Sequence, residues 1–256
     1  STLFFEGCSD LHENILNEQD NSSLVKNPSN AAMVAAPSIA VLRNFMDTGG
    51  LWALTECTTD ECCFPTRGSD WNDANNRTLF QHTYDDTNTN IKNAWNALMT
   101  GLTRSNVSLS YLSSMEQTDT VKEYTNEVYF IRDLCMYYLM DYWGHFPTRA
   151  YSETNYSSQP TILLRKDALN QIISNLDSII PNLKEKGDVP YGHITRSAAQ
   201  TLLAHIYLNY QVFTGTAPAF TDGTAKWDKV IGLCNEIINS GKYKLADDYW
   251  KMYLSN

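Results

Sequence analysis

Acids that could do chemistry are plentiful and undistinguished in this chain, and two pairs of them stand adjacent, Asp60-Glu61 and Asp85-Asp86. Both lie in a long segment, residues 55–90, that mixes acids, amides, an arginine, prolines and aromatics without steady periodicity. Two carboxylates hydrolyse a glycosidic bond when one protonates the leaving oxygen and the other supports attack from the opposite face of the sugar. Adjacency along the chain places no pair across a substrate, and no Ser-His-Asp order or glycine-rich phosphate loop accompanies these acids. Asp86, Asn88 and Asn90 stand at alternate positions, as in a calcium loop, yet Ile91 replaces the required glycine and Ala97 the closing glutamate. His82, His145, His193 and His205 form no metal spacing; His145 and His193 flank helix ends and read as structural. No catalytic residue, metal ligand or cofactor is assigned.

The cysteines carry two further chemistries. Cys57, Cys62, Cys63, Cys135 and Cys234 are an odd set, and Cys57 followed by Cys62-Cys63 lacks the second ligand pair of a zinc site. Cys62-Cys63 and Cys57 leave a disulfide open in an oxidising compartment. Cys135 and Cys234 fall on apolar helix faces, where a thiol packs as a small hydrophobe. Cys8 is different: Leu3-Phe4-Phe5 precede Gly7-Cys8-Ser9-Asp10, the pattern of a lipoprotein signal whose cysteine becomes acylated, with Glu6 where a small or apolar residue is usual.

Composition narrows the partners. A net charge of −10 and a pI near 4.9 oppose a nucleic-acid footprint, which needs clustered Lys and Arg, and no such stripe exists. No run of about 18 apolar residues marks a membrane-spanning helix. Aromatics make up 12% of the chain, with 15 Tyr and 6 Trp. Such an excess suits either a carbohydrate surface, where a flat ring stacks on a pyranose, or long packed helices that use tyrosine as a core residue with a wet tip.

The elements that must position these residues are helical. Residues 10–30 read as an irregular leader with one short helix, and residues 31–47 as helical with a break or start near Pro37, ended by Gly49-Gly50. Apolar periodicity predicts helices near 91–113, 119–143, 166–185, 195–213 and 225–240, with a sixth from about Asp247. Tyr124, Val128, Ile131, Cys135, Tyr138 and Tyr142 recur at steps of four and three, one face of a helix that Gly144 ends and Pro147 keeps from resuming. Two more stripes follow, Leu169, Ile172, Ile173, Leu176, Ile179 and Ile180, then Ala199, Leu202, Leu203, Ile206, Tyr207 and Tyr210. The last comprises Trp227, Val230, Ile231, Cys234, Ile237 and Ile238, read as facing a core. Successive pairs that each need a neighbour to cover an apolar face build a tetratricopeptide-like array, here about three helix pairs with long irregular insertions at 144–165 and 214–224. The expected fold is all-α, with residues 1–30 a leader and 31–256 one helical-repeat domain.

Several blocks in fixed order resemble the SusD/RagB family of glycan-binding lipoproteins. They are Thr59-Asp60-Glu61 with Pro65-Thr66-Arg67-Gly68-Ser69-Asp70-Trp71; Ile91 to Asn106 with Trp95; Phe130-Ile131-Arg132 with Trp143-Gly144-His145-Phe146-Pro147; Tyr191-Gly192-His193-Ile194-Thr195-Arg196; and Ile238-Asn239-Ser240-Gly241-Lys242-Tyr243. Family members are typically around twice this length, so the resemblance implies that a loop-rich C-terminal half is missing from this sequence. It also implies a non-catalytic protein lipid-anchored through Cys8 to the outer membrane, surface-exposed, which captures oligosaccharide or polysaccharide and pairs with a SusC-type TonB-dependent transporter. On that reading segment 55–90 presents the ligand groups: Trp71 stacks on a sugar ring, and Asp60, Arg67 and Asp70 make charged hydrogen bonds to hydroxyl pairs. Against this stand an internal ion pair of Asp60 with Arg67 that pins the loop, and Trp71 as its hydrophobic plug. Two other functions remain in view: a tetratricopeptide-like protein-binding scaffold at the cell envelope without glycan binding and, ranked third, a glycosidase.

Overall fold

In the computed structural model, which describes residues 21–65, 67–68, 74–153 and 157–254, apolar periodicity becomes ten α-helices among the described residues. In chain order these are α1 (Asn21–Lys26), α2 (Ala31–Ile39), α3 (Leu51–Glu56), α4 (Ala74–Phe80), α5 (Thr89–Ser113) and α6 (Asp119–Trp143). After a strand pair come α7 (Arg165–Ile179), α8 (Arg196–Leu208), α9 (Tyr210–Thr214) and α10 (Trp227–Asn239). The all-α, tetratricopeptide-like expectation holds. No described helix is long and apolar enough to cross a membrane.

The bounds of α6 follow from its ends. Thr118 is extended and its hydroxyl accepts from the Val121 N–H at 3.3 Å, with Asp119 in the first turn favouring the positive end of the helix. At the other end Gly144 takes φ of +76°, where a Cβ is costly, and its N–H closes on the Met140 carbonyl at 2.9 Å. α5 starts on the same logic, the Asn88 side chain accepting from the N–H groups of Asn90 and Ile91.

Packing centres on α6, which lies against α2, α5 and α7, while α8 packs chiefly on α10 and also touches α6 and α7. Leu98, Leu102, Ile131, Met136, Leu139, Met140, Leu169 and Leu176 are fully buried in the main core. A second cluster joins Ala31, Val34 and Ala35 of α2 to Leu109, Leu112, Val121 and Val128. α5 approaches α6 closely at Gly101, where an added Cβ would sit 2.6 Å from the Cys135 Sγ.

Several expected elements differ in detail. The helix through residues 31–47 does not break at Pro37; α2 runs past it to Ile39 and then tightens into a 3-10 segment, Ala40–Asn44. The segments 166–185 and 195–213 are each shorter: Pro181 converts the end of α7 into 3-10 structure, and Asn209 separates α8 from α9. The helix expected from Asp247 is only a 3-10 segment, Tyr249–Tyr253, capped by Asp248. A two-stranded antiparallel sheet went unread: β1 (His145–Thr148) pairs with β2 (Thr161–Leu164), in the register Phe146 to Leu163. His145 therefore lies in a strand. Four-residue strands carry too little alternation to be seen before pairing.

The largest departure is the final stripe. α10 buries no residue completely: Val230, Leu233 and Ile237 are half-buried, while Trp227, Ile231 and Ile238 are 58%, 62% and 69% exposed. Cys234 is exposed with them, not packed as a small hydrophobe. The apolar arc is wider than α8 can cover.

Candidate functional site

Segment 55–90 is built from its two ends inward. At the first end, α3 sinks Leu51, Ala53 and Leu54 into the core. The hydroxyls of Thr55, Thr58 and Thr59 donate to the carbonyls of Trp52, Leu54 and Glu56 at 2.9, 2.7 and 2.7 Å. Those bonds fasten the threonines to the last turns of α3, where carbonyls run short of intrahelical donors. The Glu61 N–H then donates to the Thr59 hydroxyl, so the chain turns tightly and carries Asp60 and Glu61 outward, both exposed. Beyond the turn, Phe64 edges against Trp52 with ring centroids 5.8 Å apart.

At the second end the amides do the work. The Asn88 Nδ2 donates to the Asn75 carbonyl at 3.0 Å and to the Thr78 hydroxyl at 3.1 Å, and the Thr89 N–H donates to the Asn75 Oδ1 at 3.0 Å. Asn90 and Asn76, both buried, join side chain to side chain at 2.7 Å. This network clamps α4 onto the start of α5. It explains the density of asparagine in a stretch without periodicity, and it corrects the reading of the segment as wholly irregular: α4 stands inside it. The Asp85 carboxylate accepts from the N–H and hydroxyl of Thr87 at 2.9 and 2.6 Å, which holds its pKa below the usual carboxylate range. Asp85 thus shapes a turn.

Between these clamped ends, Asp60 and Arg67 are both exposed. The internal ion pair that would have consumed them does not form: among the described residues, no ion pair or side-chain hydrogen bond engages either one. Gly68 follows Arg67 at φ of +63°, with no described residue other than its chain neighbours within 4 Å of where its Cβ would sit. Asp70 and Trp71 lie outside the described residues, as does Cys8. Phe80 and Tyr84 are exposed aromatics of the same segment that were not singled out from sequence, since apolar rings without a period give no hint of which will face solvent.

The tyrosine excess is spent mainly on packing. Tyr138 sits edge-on to Phe45 at 5.5 Å and to Tyr137 at 5.1 Å, and stacks on Tyr142 at 6.3 Å. Trp143 meets Trp95 edge-on at 5.1 Å. Burial pushes the hydroxyls of Tyr137, Tyr138 and Tyr142 above the ordinary tyrosine range. No disulfide joins the five described cysteines to one another, and burial lifts the thiol of Cys135 to about 12, far from reactive. A cavity of about 220 Å³ lies elsewhere, between α5 and β1, lined by Met99, Leu102, Asn106, Pro147 and Arg149 among others and by no described residue of segment 55–90.

With this geometry in hand, comparison with known proteins is decisive about class. A family model described as "Starch-binding associating with outer membrane", SusD-like, matches residues 25–208. The chain belongs to the SusD-like family. It is 26% identical over 156 residues to the starch-binding protein SusD of Bacteroides thetaiotaomicron, a match covering 60% of this chain and 26% of that protein. Among solved structures, it resembles surface glycan-binding protein A from Bacteroides uniformis, with a TM-score of 0.71 at 18% identity, over 90% of this chain and 50% of that one. A laminarin-binding SusD-like protein gives a TM-score of 0.70 at 18% identity, covering 89% and 48% of the two chains. The SusD-like chain thus spans about half the length of the solved structures it matches, and at these identities the likeness speaks for the fold.

Proposed function

We propose that this chain is the helical-repeat part of a non-catalytic surface protein that captures oligosaccharide or polysaccharide. Segment 55–90 is its ligand-presenting face, with Asp60, Arg67, Asp70 and Trp71 as contacts. The observation that carries the reading is the construction of that segment. Its ends are tied down by threonine caps and an asparagine clamp, while the charged groups between them, Asp60 and Arg67, stay exposed and, among the described residues, unpaired. Charged groups without an internal partner keep their hydrogen-bonding capacity for sugar hydroxyls, and the tied ends of the segment limit the backbone ordering that binding must add. The SusD relative is named as starch-binding and a structural neighbour as laminarin-binding, so a glucan is the first ligand to try.

The same family membership supports delivery to a SusC-type TonB-dependent transporter and a lipid anchor on Cys8 at the outer membrane, with the helices as scaffold and partner surface. Titration calorimetry of the chain against starch and laminarin oligosaccharides tests the site. Arg67→Ala and Trp71→Ala are each expected to weaken binding at least tenfold, and undiminished affinity in both overturns the assignment. Release of reducing ends by the pure protein would overturn the non-catalytic reading. Recovery of a large outer-membrane barrel with the tagged protein, and incorporation of labelled palmitate that Cys8→Ala abolishes, are the expected results for partner and anchor.

A further inference from the structure

A second constellation, remote in sequence from segment 55–90, has the chemistry of a metal site. Glu123 and Glu127 are one turn apart on α6 and so share a face. His193, in the turn before α8, reaches them from across the fold, and one ligand atom from each of the three lies within 4.8 Å of the others. The His193 Nδ1 is 2.6 Å from the Glu127 Oε1. Glu127 is only 2% exposed, and the Ile194 backbone N–H is hydrogen-bonded to its carboxylate, which orients it toward the histidine. Groups that fix a ligating carboxylate from behind are the usual support of a metal site.

A groove of about 520 Å³ opens onto this cluster, lined by Ala36, Arg43, Tyr124, Glu127, Tyr191 and His193. It offers a path for an ion and room for water. On the opposite side the Lys184 Nζ is 2.6 Å from the Glu123 Oε2, a cation already drawn to the same carboxylate. We propose that Glu123, Glu127 and His193 form a divalent transition-metal site, with zinc the best match, in which the ion displaces Lys184 from Glu123 and replaces the proton shared by the His193 Nδ1 and the Glu127 Oε1, which is released to solvent. Two carboxylates and one imidazole leave further positions to water, as in zinc sites with three protein ligands. The bound ion would tie α6 to the turn that starts α8, joining parts of the chain 66 residues apart.

The test is calorimetric titration of the full chain with zinc chloride after chelator treatment. Cys62, Cys63 and Cys234 are alkylated beforehand so that zinc on reachable thiols is not counted. One equivalent is expected to bind at micromolar or tighter affinity, and Glu127→Gln or His193→Ala should weaken it at least tenfold. Glu123→Gln, at a half-buried position, covers the case in which those two variants misfold. Lys184→Ala should tighten binding several-fold, because it removes the competing cation; no change there overturns the displacement. Cobalt in place of zinc should show the visible absorption of a nitrogen- and oxygen-ligated ion, lost in Glu123→Gln. Absence of binding in both wild type and Lys184→Ala, or binding indifferent to all three ligand substitutions, overturns the site.

Discussion

Helices α6 and α10 are both striped, yet they end in opposite situations. α6 is enclosed by α2, α5 and α7, so that even Glu127, Arg132 and Asp133 are buried along with its apolar residues. Among the described elements α10 packs chiefly on α8, and its wide apolar arc is divided: Val230 and Leu233 pack while Trp227, Ile231 and Ile238 face outward. A stripe reports that a helix has something to bury. How many sides are covered depends on how many elements arrive. Where α6 is surrounded, its polar groups had to find partners inside. The Arg132 Nε donates to the Asn106 Oδ1 at 2.8 Å, and the Asn175 Nδ2 donates to the Asp133 Oδ1 at 2.8 Å, leaving the Asp133 Oδ2 without a hydrogen-bond partner among the described residues.

If burial and not periodicity governs stability, core truncation in α6 should have the largest effect. Leu139→Ala is expected to cost about 2–5 kcal/mol in chemical denaturation, the range for a fully buried leucine that leaves a cavity. A loss below about 1 kcal/mol would mean that α6 is not held as described.

The buried carboxyl of α6 should make stability depend on pH. Burial pushes the Asp133 pKa up to about 8 from an ordinary 3.8, against the pull of the Asn175 hydrogen bond and the Arg132 charge. The folded chain therefore holds this proton more tightly than the unfolded one. The contribution is full below about pH 4 and is lost as pH rises through about 8, a change on the order of a few kcal/mol. Asp133→Asn should flatten that decline in melting temperature between pH 5 and 8.5. Parallel curves for the two proteins would contradict it.

One substitution made in the two neighbourhoods should change sign. Gly101→Ala places a Cβ 2.6 Å from the Cys135 Sγ and 3.0 Å from the Val41 Cγ1, and overpacking of this kind costs about 1–3 kcal/mol. Gly232→Ala on α10 meets nothing within 4 Å and should stabilise by roughly 0.5–1 kcal/mol through helix propensity alone. Equal signs would show that α10 is packed like α5. The smallest effect belongs to Ile231→Ser, expected to lie within about 0.5 kcal/mol of wild type, since an exposed isoleucine gives up little on truncation.

Much of the fold was legible because its determinants are local. The span of α6 from residue 119 to 143 could be read from its stripe, Gly144 and Pro147, and α5 differs from its expected bounds only at its first turn. What stayed hidden depends on residues far apart. The pairing of residues 145–148 with 161–164 needs both strands at once, and α4 is secured by asparagines from Asn75 to Asn90 whose partners no period announces. The candidate contacts were legible as types, an acid and an arginine in an aromatic loop. That Asp60 and Arg67 are unpaired with each other is a fact of geometry. His193 read as structural by spacing, and only the packing of its turn against α6 brought it to Glu127.

By itself the sequence determined the helical periods, the caps and stops that bound them, and the ordered blocks that mark a SusD-like chain. These are short-range properties, set by backbone sterics and by side chains within a turn of one another. The tertiary structure decided which faces are covered, which charged groups lie buried or free, and which distant side chains meet. Burial and long-range contact are properties of several segments together, and no window along the chain contains them.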